Sequence, residues 1–249
     1  MRRIDDSEPD TAMVISALSF HPWDAMTPVV LRSILWRARS RPFRFTAETG
    51  CGGSTIVFSQ LSRRHVVFAM EGENRTITQL RARADLRGEV VNFVEGETKT
   101  TVPGYRFESQ LDFVLLDGPH AYPLPQIEFT YLFPQVSLGG WLALDDIQIP
   151  SVNELSQFLR KEPTVALEEV SGRTAIFRRT SFGVTGPDGW WEQGMNRRTI
   201  LRYSWRDRLR KLLRKGMILS RSECYFGGPM RHSGSPTTMF CQLRTGIDR

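Results

Sequence analysis

The sequence predicts a doubly wound α/β sheet of seven strands, mostly parallel and ending in one antiparallel hairpin. Three observations carry this expectation. Short apolar runs suited to strands alternate with stretches of helical character, the order that builds a parallel sheet covered on both faces. The last two strand-like runs are joined only by Ser171 and Gly172, a link too short for a crossover, so they must pair antiparallel. A glycine-rich segment, Thr46-Ala-Glu-Thr-Gly-Cys-Gly-Gly-Ser-Thr55, turns out of the first strand into a helix. Open sheets use that turn to bring backbone close to a nucleotide-like ligand.

The elements follow in order. Thr27 suits an N-cap and Pro28 the first helical position, and Val30, Leu31, Ile34, Leu35 and Ala38 share one face of the helix they open. Strands are expected at 43–48, 65–70, 90–94, 111–117, 141–146, 164–170 and 173–179, with helices at 56–61, 76–84 and 126–136. Ser151-x-x-Glu154 has the form of a capping box for a helix after the fifth strand. Beyond Thr180 the pattern breaks into a turn-rich link, Gly183 to Gly189, that leads to Trp190-Trp191. The chain therefore divides into an N-terminal helical extension (1–40), a ligand-binding core (41–180) and a C-terminal extension (181–249).

Composition sets limits. A hydrophobic fraction of 40% and a charged fraction of 24% are those of a soluble globular protein. No apolar run approaches the roughly 18 residues of a membrane span. Acids at Asp5, Asp6 and Glu8 stand where a signal peptide needs its apolar stretch. Cys51, Cys224 and Cys241 are odd in number and far apart, which suggests neither a disulfide framework nor a zinc site, and a reducing cytoplasm is expected. The net charge of +6 is local: residues 197–221 hold ten Arg or Lys against one acid, Asp207, so the remainder is acidic. There Ile200 to Gly216 reads as an amphipathic helix with Leu201, Trp205, Leu209, Leu212 and Leu213 in one stripe. It suits packing on the core with a solvated basic face, contact with an anionic membrane surface, or RNA phosphates. RNA binding would bring stacking aromatics or an added recognition domain, and neither is evident.

The side chains of the glycine segment narrow its ligand. A phosphate-cradling loop needs a glycine at Ala47 and a lysine at Gly53, and the dinucleotide pattern fails at Thr55. What remains, Glu48-x-Gly50-x-Gly52-x-Ser54, resembles the first motif of class I S-adenosylmethionine-dependent methyltransferases. The resemblance implies that Gly50, Gly52 and Ser54 approach the methionyl part of the cofactor and that Glu48 holds its amino group. Further acids end the later strands: Glu71, Asp117 and the pair Asp145-Asp146. Strand tips converge on one crevice, where close like charges need a compensating cation or proton. Glu71 is placed to accept ribose hydroxyls, with Glu73 as competitor, and Val94-Glu-Gly-Glu97 to border the adenine.

Two later stretches, Leu115-Leu-Asp-Gly-Pro-His-Ala-Tyr122 and Gly139-Gly-Trp-Leu-Ala-Leu-Asp-Asp-Ile-Gln-Ile-Pro-Ser151, extend the resemblance to the O-methyltransferase group that includes the sugar O-methyltransferases of antibiotic pathways. It spans roughly Arg44 to Thr180. It implies a Rossmann-like fold, S-adenosylmethionine as cofactor, a hydroxyl on a sugar, glycoside or glycan as acceptor, and Mg²⁺ held by Asp117, Asp145 and Asp146. Hard oxygen ligands suit that ion. Asp117 then serves the cofactor and the chemistry together. One departure matters: where the sugar enzymes often carry a second aspartate as base, this chain has Pro119. His120 is the natural substitute, since a neutral imidazole takes a hydroxyl proton near pH 7. His21, His65 and His232 lack acidic or nucleophilic neighbours and read as structural or surface residues. No Gly-x-Ser-x-Gly elbow supports a hydrolase. Alternatives are a non-catalytic cofactor-binding protein, a nucleic-acid methyltransferase using the basic helix, and a metal-assisted hydroxylase. The apolar N-terminal helix completes either the core or a homodimer interface.

Overall fold

The computed structural model describes residues 8–20, 26–181, 193–196 and Leu213. Two compact units divide the chain, residues 1–199 and 200–249, and of the second only Leu213 is among the described residues. The link at 183–189, Trp190-Trp191, the rest of the basic helix expected at 200–216, His21 and His232 lie outside them. Among the described residues no helix is long and apolar enough to cross a membrane.

Unit one opens with helices α1 (Glu8–Phe20) and α2 (Pro28–Ser40), followed by β1 (Phe43–Thr49), α3 (Gly53–Leu61), β2 (Ser62–Ala69), α4 (Thr76–Arg81) and β3 (Val91–Glu95). Then come α5 (Thr98–Gly104), β4 (Leu111–Leu116), α6 (Leu124–Leu132), β5 (Val136–Leu144), α7 (Pro150–Leu159), β6 (Val165–Ser171) and β7 (Thr174–Arg179). The seven strands lie in the order β3-β2-β1-β4-β5-β7-β6. All pairings are parallel except those of β7, which runs antiparallel to both β5 and β6. The hairpin forced by the short link at Ser171-Gly172 is present, with Gly172 at φ 57° in its turn.

Alternation along the central strands separates two cores. On β4 and β5, Phe113, Leu115, Trp141 and Ala143 face α1–α3, while Val114, Leu116, Leu142 and Leu144 face the opposite layer with α6 and α7. The apolar face of α2 predicted from spacing is buried, and Thr27 is its N-cap. Other bounds differ from expectation. The helix at 126–136 is α6 followed by a separate 3₁₀ turn, Phe133–Gln135, because Pro134 has no N–H to continue the α-helical ladder. Strand β5 starts five residues earlier than expected, its front end masked in the sequence by Gly139-Gly140. The expected capping box does not form: α7 starts at Pro150 with Ile149 as N-cap, and the Ser151 hydroxyl donates to the His120 carbonyl instead.

Strand β1 sits between β2 and β4, so successive crossovers leave it in opposite directions. Its carboxyl end is the switch point where open sheets hold ligands. The other end of the sheet is tied by Asp112, a buried residue on β4 whose Oδ2 accepts the N–H groups of Arg44 (2.8 Å) and Phe45 (3.3 Å) and whose Oδ1 accepts from Arg41 (3.0 Å). Asp112→Ala strands those donors and is expected to cost ~1–3 kcal/mol in urea unfolding; an unchanged midpoint would contradict this role.

Candidate active site

Gly50 ends β1 with a left-handed backbone, φ 78°, and a Cβ built on it would lie 2.1 Å from the Asp117 carbonyl oxygen. Only glycine lets the β1–α3 and β4–α6 loops meet this closely. Beside that contact opens a cleft of about 450 Å³, within the size range of small-molecule sites. Gly50 and Cys51 form one wall, Met70 and Glu73 the end of β2, Glu97 and Thr98 the end of β3, and Asp117, Gly118 and Pro119 the far side.

The acids expected there have separate fates. Glu48 is fully buried and does not line the cleft; it accepts hydrogen bonds from Ser54 Oγ (2.7 Å) and from the Thr55 hydroxyl. Gly52 is buried behind the same turn, its N–H donating to Thr55 Oγ1 at 3.0 Å. Glu71 caps α4: its carboxylate accepts the N–H groups of Ile77 (3.0 Å) and Thr78 (2.9 Å) and the Thr78 hydroxyl (2.6 Å). The Thr78 hydroxyl first, then these amides, holds its carboxyl below the usual range. Its competitor Glu73 lines the cleft. The Cys51 thiol is pushed up to about 12 by burial and by nearby Glu48, Glu71 and Asp117, so it stays protonated.

Asp117 both lines the cleft and faces a second group of side chains. His120 Nε2 lies 3.5 Å from Asp146 Oδ2 and 4.0 Å from Asp117 Oδ1, and makes no hydrogen bond within the protein. One ligand atom from each of Asp117, His120 and Asp146 falls within 4.8 Å of the others. Asp145 stands apart from the three: it is buried and accepts the Thr174 hydroxyl. The set of acids expected to hold a metal is thus split, and His120 occupies the place expected for Asp145. Two carboxylates and an imidazole fit a divalent cation, and the nitrogen donor extends the choice from Mg²⁺ to Mn²⁺ or Zn²⁺.

Burial, then Asp145, Asp146 and Glu48, hold the Asp117 carboxyl well above the usual range, with Arg173 opposing them. Arg173, in the β6–β7 turn, places Nε 3.2 Å from Asp146 Oδ1 and 3.9 Å from Asp145 Oδ2. Asp146 itself is left-handed, φ 55°, a conformation that aspartate tolerates better than most side chains, and Gln148 Nε2 donates to it at 2.8 Å. Sequence reasoning missed Arg173, Ser151 and Glu128. A cation beside a hairpin glycine and a serine after Pro150 were the only signals, and both read equally well as turn chemistry. His65 was expected to lack an acidic neighbour; in the fold its Nε2 is 3.2 Å from Glu48, a pairing across two strands that linear distance conceals.

Residues 47–147 match the family model of a methyltransferase domain. No curated protein matches the sequence. Among solved structures, a Staphylococcus aureus protein described as a caffeoyl-CoA O-methyltransferase superposes with a TM-score of 0.56 at 14% identity, covering 70% of this chain and 93% of that one. The O-methyltransferase TomG from Streptomyces achromogenes, of tomaymycin synthesis and solved with SAM, gives 0.55 at 16% identity, with 72% and 92% covered. The SAH-bound methyltransferase PaMTH1 of Podospora anserina gives 0.51 at 15% identity, with 70% and 89% covered. At such identities the likeness establishes the fold.

Beneath the cleft lies Glu128 of α6, 1% exposed, accepting the Thr49 hydroxyl at 2.8 Å. Burial pushes its carboxyl up to about 7, against the hydroxyls that hold it down. The folded state therefore holds a proton that the unfolded chain releases near 4.5, and stability falls as pH rises between about 4.5 and about 7. Glu128→Gln lacks that loss. Its stability relative to wild type should rise by up to ~3 kcal/mol from pH 5 to pH 8 in urea unfolding; a difference independent of pH would contradict the assignment.

Proposed function

We propose, for a chain whose residues 47–147 match the family model of a methyltransferase domain, an S-adenosylmethionine-dependent O-methyltransferase acting on a hydroxyl of a sugar or glycoside. The observation that carries the reading is the position of Asp117, shared between the cleft at the switch point and the His120–Asp146 pair. A cofactor cleft and a proton-accepting group are thereby adjacent. The sugar or glycoside acceptor rests on the resemblance of residues 115–122 and 139–151 to the antibiotic-sugar enzymes.

When bound, S-adenosylmethionine supplies an electrophilic methyl on a sulfonium. The chain's residues have distinct tasks around it. Gly50 and Cys51 offer backbone to the methionyl part, Glu71 or Glu73 the ribose hydroxyls, and Glu97 with Thr98 the edge of the adenine. His120 Nε2 accepts the acceptor's hydroxyl proton, and the Asp146 carboxylate at 3.5 Å faces the positive charge that results. Arg173 keeps Asp146 in place, and Ser151 fixes the His120 backbone. A divalent cation held by Asp117, Asp146 and His120 would instead acidify the hydroxyl directly. The two uses of Nε2 exclude each other, so chelation distinguishes them.

The test is transfer of a radiolabelled methyl group to a panel of glycosides, catechols and RNA, with and without chelator and with Mg²⁺ or Mn²⁺ restored. Glycoside labelling that survives chelation is expected. Labelling of catechols or RNA alone would overturn the acceptor assignment, and transfer restored only by metal would make His120 a ligand. His120→Ala is expected to lower turnover ~10²–10⁴-fold while S-adenosylhomocysteine affinity stays within about threefold. A loss of affinity as large as the loss of turnover would place His120 in the cofactor site.

A further inference from the structure

We propose that His65 is a positioning residue for the cofactor: through Glu48 and Thr55 it holds the shape of the glycine turn whose outer side lines the cleft. The proposal rests on the cofactor reading above and goes beyond it, because neither His65 nor Glu48 lines the cleft.

His65 is fully buried in the middle of the sheet, between β1 and β3, with its ring stacked on Phe58 at 5.0 Å. An imidazole in such a place costs desolvation unless its nitrogens are used. Both face polar atoms. Nδ1 lies 2.8 Å from Thr46 Oγ1, which lies 2.7 Å from Ser62 Oγ. Nε2 approaches Glu48 Oε1 to 3.2 Å, obliquely and short of a well-aligned hydrogen bond.

The carboxylate decides the direction of the protons. Glu48 already accepts a hydroxyl on each of its oxygens, so the nitrogen that faces it, Nε2, is placed to donate and Nδ1 to accept. Thr46 then donates to Nδ1, and Ser62 donates to Thr46. On the far side Glu48 takes the hydroxyl protons of Ser54 and Thr55, which leaves Thr55 Oγ1 free to accept the Gly52 N–H at 3.0 Å. Two runs thus converge on Glu48, one from Ser62 at the start of β2 through Thr46 and His65, the other from the Gly52 N–H of the turn through Thr55. Gly50 and Cys51, on the same turn, form the cleft wall. Any influence of Glu48 on a ligand must pass through that backbone. Rigid preorganisation of a loop appears as affinity, since less ordering remains to be done on binding.

The experiment compares S-adenosylhomocysteine affinity by calorimetry, and thermal midpoint, for the full-length wild type and three variants. His65→Leu keeps the bulk against Phe58 and removes both nitrogens. His65→Gln restores a donor toward Glu48. Thr55→Val, on a different element, cuts the run on the other side of Glu48 with little change of volume. The expected result is a loss of about tenfold in affinity for His65→Leu and for Thr55→Val. Recovery to within about threefold is expected for His65→Gln, and no further loss when His65→Leu and Thr55→Val are combined, since both act through Glu48. A folded His65→Leu protein that binds as wild type does, or losses in the pair that multiply, would overturn the proposal. Should His65→Leu fail to fold, wild-type affinity in Thr55→Val overturns it equally. A folded wild type that binds no S-adenosylhomocysteine removes the cofactor reading and this proposal together, whereas a wild type that binds alongside unaffected variants removes the proposal alone.

Discussion

The site depends on one steric constraint, the contact of Gly50 with the Asp117 carbonyl. Strands β1 and β4 are neighbours although α3, β2, α4, β3 and α5 separate them in the chain, and their loops leave the sheet at the same level. With a left-handed glycine at 50, the two loops close on each other; with any side chain there, they would part. Gly118 repeats the constraint one layer down, since a Cβ there would meet Glu128 Oε1 at 2.6 Å and Thr49 Oγ1 at 2.9 Å. Small residues at both positions bring the cleft wall, Asp117 and the buried Glu128 into one compact group.

Around that contact, the protein resolves its crowd of carboxylates by giving each a different partner. Glu48 takes hydroxyls from α3, Glu71 takes amides from α4, and Asp145 takes a hydroxyl from β7. Each of those three has partners within the fold. Asp146 has Arg173 and Gln148 against one oxygen and leaves the other toward His120. Asp117 lies beside Asp145, Asp146 and Glu48, and burial together with these acids opposes its ionisation.

Fold and site were legible in the sequence to different depths. Period and punctuation are local properties, so the parallel order, the terminal hairpin at Ser171-Gly172 and the glycine turn after β1 could all be read directly. The division of labour among the acids could not. Whether Glu71 meets a ribose or the amides of Ile77 and Thr78 depends on where α4 begins, and whether Asp145 faces the crevice depends on Thr174, nearly thirty residues later. Ser151 shows the same limit: its spacing to Glu154 fits a local cap, yet its hydroxyl is claimed by the His120 carbonyl across the site. The buried partnership of His65 with Glu48 joins adjacent strands and leaves no mark in linear order.

The central claim is that the cleft beside Gly50 and Asp117 takes S-adenosylmethionine. Calorimetric titration of S-adenosylhomocysteine into the purified, chelator-treated protein tests it most directly, because the product analogue needs neither acceptor nor turnover. One site per chain with micromolar affinity, about 8 kcal/mol of binding free energy, is the result the account predicts. No heat of binding from a protein shown to be folded would contradict it, leaving the α/β sheet in place and its cleft without this ligand.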